Sequence, residues 1–172
     1  QAGYILLGIT GSSQTGTASV VYFILVYILS NLGAFGVVAL VSASKGKEEI
    51  SDYKGFYKTN PALSLVMAIS LFSLGGIPPT AGFFGKLFLI YAGAEKGNYL
   101  FLFIAALNMI VALYYYLRVI RAMFVDENES PIEKISAGPG VSISLAICVT
   151  GIVALGFFSI VFEYIYSLSF GM

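Results

Sequence analysis

The sequence predicts an all-α polytopic membrane protein with four full transmembrane spans, the tail of another, and one span that is discontinuous. Hydrophobic residues make up 58% of the 172 residues and charged residues only 10%, against roughly a quarter charged in ordinary soluble domains. The charges leave four long uncharged runs, over residues 18–41, 61–85, 99–117 and 141–162. Each is near or above the ~18 to 20 residues that cross a bilayer core, and none has the polar stripe of a helix that faces water.

The composition excludes several classes of function. The formal net charge is zero, so we expect no basic surface for nucleic acid. The chain has no histidine, which removes imidazole metal sites and histidine-based catalytic triads from consideration. The single cysteine, Cys148, cannot form a disulfide within the chain. The lipid bilayer is therefore the first expected partner, and a self-contained enzyme is not indicated.

The predicted elements follow one another in a simple order. They are the tail of a span over 1–9, a polar turn over 10–17, a full span over 18–43, a charged loop over 44–60, a broken span over 61–94, a short polar loop over 95–98, a span over 99–124, a second charged loop over 125–140 and a last span over 141–167. Because the chain starts directly in an apolar helical stretch, we expect residues 1–172 to be a single membrane domain at the C-terminal end of a longer protein. In the first charged loop Ile50, Tyr53 and Tyr57 recur at helical spacing and predict a short helix on the membrane surface.

The stretch 61–94 is too long for one straight span. Its 34 residues would make a helix of about 51 Å, whereas the bilayer core is about 30 Å thick. Four residues that bend or interrupt helices lie inside it: Gly75, Gly76, Pro78 and Pro79. We predict one discontinuous helix with halves over 61–74 and 83–94; the alternative is two separate short helices.

Lys86 is the candidate functional residue. It lies just after this interruption, with no other charge between residues 59 and 94. An ammonium group at the bilayer centre costs at least about 2.5 kcal/mol, and intramembrane charges usually mark ion paths. Removal from water disfavours the charged form of a lysine, so Lys86 is expected to exchange a proton beside unwound backbone that lines a cavity. The alternative is a lysine that snorkels to the membrane surface near Glu95.

Two amides are weaker candidates. Asn31 lies centrally in the span 18–43, among small residues that let helices approach closely, and can form a hydrogen bond across the helix interface. A packing seam with one such bond is the favoured interpretation. Asn108 is similarly placed in the span 99–124 and could hydrogen-bond a water molecule near Lys86.

The basic residues predict the orientation. If the spans alternate, seven of them share one side of the membrane and only Lys96 lies on the other; the seven are Lys45, Lys47, Lys54, Lys58, Arg118, Arg121 and Lys134. Basic residues are enriched on the cytoplasmic side. The charged loops are therefore expected in the cytoplasm and the C-terminus on the opposite side.

Several blocks of the sequence resemble a known family. They are "NLGAFGVVAL", "KGFYKTNPALSLVMAISL", "SLFSLGGIPPTAGFFGKLFLIYAG" and "ALYYYLRVIRAMF". In this order and spacing they resemble the antiporter-like membrane subunits of respiratory complex I, most closely the subunit N group of bacterial NADH–quinone oxidoreductase. The resemblance covers the chain up to about Phe124 and is weaker beyond.

The resemblance implies a fold and a mechanism. It implies an inverted-repeat bundle, with residues 1–124 as the second half-repeat and 140–168 as an extra C-terminal helix. Lys86 would be the lysine of the broken helix, relaying protons across the bacterial inner membrane, and Asn31 would occupy a position where sister subunits carry a lysine. No flavin, iron–sulfur cluster or quinone would bind this chain. The expected partners are the other membrane-arm subunits: a neighbouring antiporter-like subunit and small membrane subunits.

Other functions remain as alternatives. The same fold occurs in multisubunit Na⁺/H⁺ antiporters and membrane-bound hydrogenases. A structural membrane scaffold would use Lys86 only for assembly, so that neutralising it would harm assembly and leave pumping intact. A small-solute transporter would require more polar groups at mid-membrane than Asn31, Lys86 and Asn108 supply.

Overall fold

The computed structural model describes residues 1–169 except 12, 96, 98 and 159. This part of the chain is helical and contains no strand. The α-helices are α1 (Ile5–Gly11), α2 (Gln14–Lys45), α3 (Phe56–Thr59), α4 (Pro61–Gly75), α5 (Ala81–Ala94), α6 (Tyr99–Phe124), α7 (Pro139–Phe157) and α8 (Ile160–Leu168). Within these residues α2, α6 and α7 are each long and apolar enough to cross a membrane, and α4 and α5 are shorter apolar helices. The all-α membrane fold is thus confirmed.

Helix α2 is the centre of the bundle, and α4 and α5 pack one after the other along it. The hydroxyl of Ser30, halfway along α2, donates a hydrogen bond of 2.7 Å to the hydroxyl of Ser73, near the end of α4. Farther along, Gly85 of α5 lies against Phe23. Both helices therefore run in the same direction, antiparallel to α2. The prediction of one discontinuous helix over 61–94 is confirmed, and its interruption lies near mid-bundle, about 24 Å from either end of α2 at 1.5 Å per residue.

The last span differs from its prediction as one helix over 141–167. Helix α7 ends at Phe157, Phe158 is extended, and α8 begins at Ile160. Both helices still follow α2, because the Tyr22 hydroxyl donates to the Leu155 carbonyl of α7 and the Tyr22 ring meets Phe162 of α8 edge to face. The extra C-terminal span is therefore a second interrupted helix.

The turn at the start of the chain is tighter than the polar stretch 10–17 predicted. Helix α1 extends to Gly11, and α2 already begins at Gln14, where the Ser13 side chain accepts a hydrogen bond from the Gly16 amide. An N-capping serine starts a helix by satisfying one of its free amides, so polar residues expected in a loop form the first turn of α2. Two residues of the predicted polar loop 95–98 lie outside the described residues: Lys96, the lone basic residue of that side, and Asn98.

The charged loops form an ordered cap on the opposite end. A 3-10 turn (Ile50–Tyr53) and α3 replace the single surface helix predicted there. Asn60, buried just before α4, donates from Nδ2 to the carbonyls of Ile132 and Glu133, and its Oδ1 accepts from the Ile135 amide at 2.7 Å. One asparagine thus joins the second charged loop to the start of the broken helix.

Candidate functional site at the helix break

The interruption between α4 and α5 begins with a glycine-terminated helix end. Gly76 has φ +77°, in the left-handed region, which glycine adopts without strain. Its amide donates to the Ser73 carbonyl, and the Ile77 amide donates to the Phe72 carbonyl, the pair of bonds that defines a Schellman motif. This motif satisfies two carbonyls of the last turn and leaves the Leu74 carbonyl available to a side-chain donor.

The donor is Lys86. Its Nζ lies 2.6 Å from the Leu74 carbonyl oxygen, and the side chain is 2% exposed. The ammonium also lies 5.0 Å from the ring centroid of Tyr4, within the range of a cation–π contact. The side chain therefore extends from α5 back to the break and away from the Glu95 end of the helix, contrary to the snorkelling alternative.

The surroundings of the break attract the Lys86 ammonium but do not neutralise its charge. The C-terminal end of α4 presents the negative end of its helix dipole to the ammonium, equivalent to roughly half an elementary charge. The four ion pairs found among the described residues join side chains of the charged loops to one another or to the adjoining ends of α2 and α6, and none includes Lys86. A buried ammonium held by a carbonyl and an aromatic ring, with no carboxylate partner, can lose its proton without leaving an unpaired anion behind.

A polar cluster connects this lysine to an open groove. Gln1 donates from Nε2 to the Leu74 carbonyl at 2.8 Å and to the Tyr116 hydroxyl at 3.0 Å. Gln1, Tyr4 and Tyr116 also line a groove of about 660 Å³ between α1 and α6. The same three side chains therefore face the groove on one side and the surroundings of Lys86 on the other.

The weaker candidates divide between two places. Asn108 is exposed, lines this groove, and donates to the Ile104 carbonyl of its own helix. Asn31 is half-buried and donates to the Tyr27 carbonyl one turn earlier. Among the hydrogen bonds of the described residues, neither amide bonds to Lys86. Asn31 satisfies itself within α2, so the single bond expected across a helix interface is not formed.

The glycines and prolines of the break have distinct positions. Gly75 ends α4, Gly76 provides the left-handed residue, and a cis peptide bond joins Pro78 and Pro79. Gly82, in the first turn of α5, is the tightest position: a Cβ there would overlap the Ser73 carbonyl oxygen and lie 2.6 Å from its carbon. The absence of a side chain at Gly82 lets the two halves of the broken helix overlap side by side.

Sequence reasoning missed three members of this site. Gln1 and Tyr4 lie 85 and 82 residues before Lys86 in the sequence, and nothing local associates them with it. Tyr116 directly follows Tyr114 and Tyr115 in the sequence. Those two are exposed, whereas Tyr116 faces inward and bonds to Gln1. Only a prediction that Tyr116 lies on the interior face of α6 could have distinguished it from Tyr114 and Tyr115.

Comparison with protein families identifies the architecture. The model of the NADH:quinone oxidoreductase/Mrp antiporter transmembrane family matches residues 1–112, about two thirds of the chain. The chain belongs to this family. The match includes α1 to α5 and half of α6, and therefore the broken helix, Lys86 and the residues around it except Tyr116.

The curated relatives are subunits of quinone oxidoreductases. The chain is 47% identical over its whole length to NADH-quinone oxidoreductase subunit N of Azobacteroides pseudotrichonymphae, of which it covers 36%. It is 48% identical over 95% of its length to subunit N of Phocaeicola vulgatus, of which it covers 35%. The expected resemblance to subunit N is confirmed, and the chain spans about a third of the length of these family members.

Solved structures agree on the fold. A chain of respiratory complex I from Thermus thermophilus with bound aureothin superposes with a TM-score of 0.76 at 29% identity, over 90% of this chain and 35% of that one. A chain of the Mrp complex from Dietzia superposes with a TM-score of 0.84 at 19% identity, over 95% and 39%. At that identity the second similarity shows the fold alone. Family membership and fold together make the chain a multi-pass membrane subunit.

Proposed function

We propose that the chain is part of a proton-translocating membrane-arm subunit of NADH–quinone oxidoreductase, in which Lys86 accepts and releases a proton. The observation that carries the proposal is the buried ammonium at the helix break, hydrogen-bonded to the Leu74 carbonyl with no carboxylate partner. Intramembrane ionisable residues usually mark ion paths, and unwound backbone at a transporter's helix break contacts the ion or substrate. Quinone chemistry and cofactors would belong to other subunits.

The proton's route on one side is the groove between α1 and α6. Water in the groove can approach Gln1, Tyr4 and Tyr116, which separate it from Lys86. The Tyr116 hydroxyl both donates and accepts hydrogen bonds, and so can pass a proton between groove water and the neighbourhood of the ammonium. Asn108 on the wall of the groove would hold water there, whereas Asn31 would act in packing.

The orientation, domain plan and partners belong to the same proposal. The charged loops would face the cytoplasm of a bacterium, residues 1–124 would form one half-repeat, and 140–168 an additional helix. Neighbouring antiporter-like and small membrane subunits would cover parts of the apolar surface. The names of the curated relatives support a complex I subunit over a Na⁺/H⁺ antiporter subunit.

The test is NADH-driven proton uptake in inverted membrane vesicles that carry the full-length subunit. We expect Lys86→Met to reduce proton uptake several-fold while NADH oxidation and the amount of assembled complex stay close to the parent. Lys54→Met is the matched control, because Lys54 is exposed in the charged loop; it should leave uptake unchanged.

Three results would count against the proposed function. Unchanged proton uptake in Lys86→Met would show that the proton does not pass through this side chain. Loss of the assembled complex in Lys86→Met would favour the scaffold role, in which the buried lysine serves subunit association. Proton uptake that depends on sodium ions in the parent complex, with pumping otherwise normal, would favour the antiporter alternative.

A further inference from the structure

A second groove lies at the charged end of the bundle, far from Lys86 along α4. It has a volume of about 540 Å³ and lies between the first turns of α4, the first turns of α7 and the segment 134–137. We call it the α4–α7 groove. Its lining is mainly apolar, from Ala62, Leu63, Val66, Leu145 and Ala146. Its volume falls within the roughly 300–1,000 Å³ typical of small-molecule sites.

The polar groups of the α4–α7 groove lie at one end. Lys134, Ser136 and Ser142 contribute to its lining, all in or next to the second charged loop. Measured along α7, the groove extends from the helix start to Ala146, about 10 Å at 1.5 Å per residue. An apolar groove of this depth that opens at a polar, basic end matches the division of a phospholipid into acyl chain and headgroup.

The polar end of the groove carries one lysine that no ion pair among the described residues neutralises. Lys45 and Lys58 of the same cap form ion pairs with Glu133 and Glu127. Lys134 is exposed and forms no ion pair with any residue that the structure describes. A lysine held at the mouth of an apolar groove between membrane helices attracts an anionic headgroup.

We propose that the α4–α7 groove holds one acyl chain of an anionic diacyl phospholipid, whose headgroup phosphate contacts Lys134. The hydroxyls of Ser136 and Ser142 can donate hydrogen bonds to the same phosphate. Lys134 selects lipids with a negatively charged headgroup, and the apolar wall of the groove binds the acyl chain. The site is independent of proton relay by Lys86.

The experiment uses the purified complex with the full-length subunit, reconstituted in phosphatidylcholine vesicles. The vesicles contain a photoactivatable probe, either phosphatidylglycerol or phosphatidylcholine with a diazirine on the acyl chain, and labelled peptides are mapped by mass spectrometry. We expect phosphatidylglycerol to label peptides from the walls of the groove more strongly than phosphatidylcholine. Lys134→Gln should reduce the phosphatidylglycerol labelling about five-fold, the loss of one cation near an anionic headgroup.

Three further variants make the result specific. Lys134→Arg keeps the charge and should retain labelling, and Lys54→Gln removes another exposed lysine of the same cap and should change nothing. Ala146→Phe fills the groove from an exposed helix position and should abolish labelling by both probes, with proton uptake and assembly intact.

Other outcomes would overturn the proposal. Equal labelling by both probes, insensitive to Lys134→Gln, would show an unselective acyl groove. Absence of labelling from the groove walls in the parent would show that another protein subunit covers them. Loss of labelling upon addition of inorganic phosphate would show a site for the free ion and not for a lipid.

Discussion

Gly82 allows the sharpest test of how the broken helix is built. In Gly82→Ala the new Cβ would lie 2.6 Å from the carbonyl carbon of Ser73 and overlap its oxygen. Ordinary carbon–carbon contacts are 3.5–4.0 Å, so α4 and α5 must separate by at least roughly 1 Å. Overpacking of this kind costs about 1–3 kcal/mol.

The same separation acts on Lys86. Its Nζ is 2.6 Å from the Leu74 carbonyl oxygen, and a displacement of roughly 1 Å would lengthen this to about 3.6 Å, beyond hydrogen-bond range. Loss of a hydrogen bond from a charged donor costs about 1.5–3 kcal/mol. Together we expect Gly82→Ala to destabilise the subunit by about 2.5–6 kcal/mol, which corresponds to a fall of about 5–24 °C in the unfolding midpoint for a domain of this size.

Gly75→Ala is the matched control, because it adds the same methyl group at the other side of the break. A Cβ on Gly75 would meet nothing closer than the Leu113 Cδ1 at 3.4 Å, and the residue is helical. We expect a change within about 1 kcal/mol. The assay heats the purified complex in steps and measures the subunit that stays soluble and assembled, with NADH-driven proton uptake measured in parallel. Equal midpoints for the two variants would refute the proposed overlap of α4 and α5.

Two further predictions concern the charged cap. Asn60→Ala removes the hydrogen bonds that hold the second charged loop, so we expect the free energy of unfolding to fall by about 2–4 kcal/mol and hydrogen exchange at the Ile135 amide to become faster. Asn60→Asp keeps the acceptor oxygen and should still protect that amide. Equal exchange in the two variants would contradict the role of Oδ1. Bonds from the Glu49 amide and then from Lys47 lower the pKa of Asp52. A carboxyl group whose pKa is lowered by folding stabilises the fold at pH values above its ordinary pKa of about 3.9, and this stabilisation is lost as the pH falls through the lowered pKa. Hydrogen exchange in the turn Ile50–Tyr53 should therefore rise only below about pH 3.9. A rise near neutral pH would contradict this linkage.

The composition and the spacing of charged residues were enough to predict most of the fold. The predicted spans located α2, α6 and the start of α7 to within a few residues, because a helix that crosses lipid must bond its own backbone and expose apolar side chains. The Gly and Pro residues located the break in the span 61–94 because they act locally, through φ angles and missing amide donors. The break after Phe157 has no comparable signal, and the sequence predicted a continuous helix there.

The site itself was predictable only in its central residue. Lys86 is conspicuous because one charge in a long apolar stretch requires an explanation. Its direction is not encoded locally: a lysine of α5 can reach either the helix end or the break, and the free Leu74 carbonyl and the Tyr4 ring decide for the break. Nothing in the run of three tyrosines distinguishes Tyr116, which faces the interior, from its two exposed neighbours.

The sequence by itself determined that this is a membrane bundle, that one of its spans is interrupted, and that a lysine lies beside the interruption. These properties follow from length, hydrophobicity and local backbone chemistry, which act over a few residues. The tertiary structure alone decided what surrounds the lysine, because Gln1 and Tyr4 come from the first turn of the chain and Leu74 from α4, and helix packing brings these two segments together. Contacts between residues far apart in the chain depend on helix packing, and packing is set by close approaches such as Gly82 against Ser73.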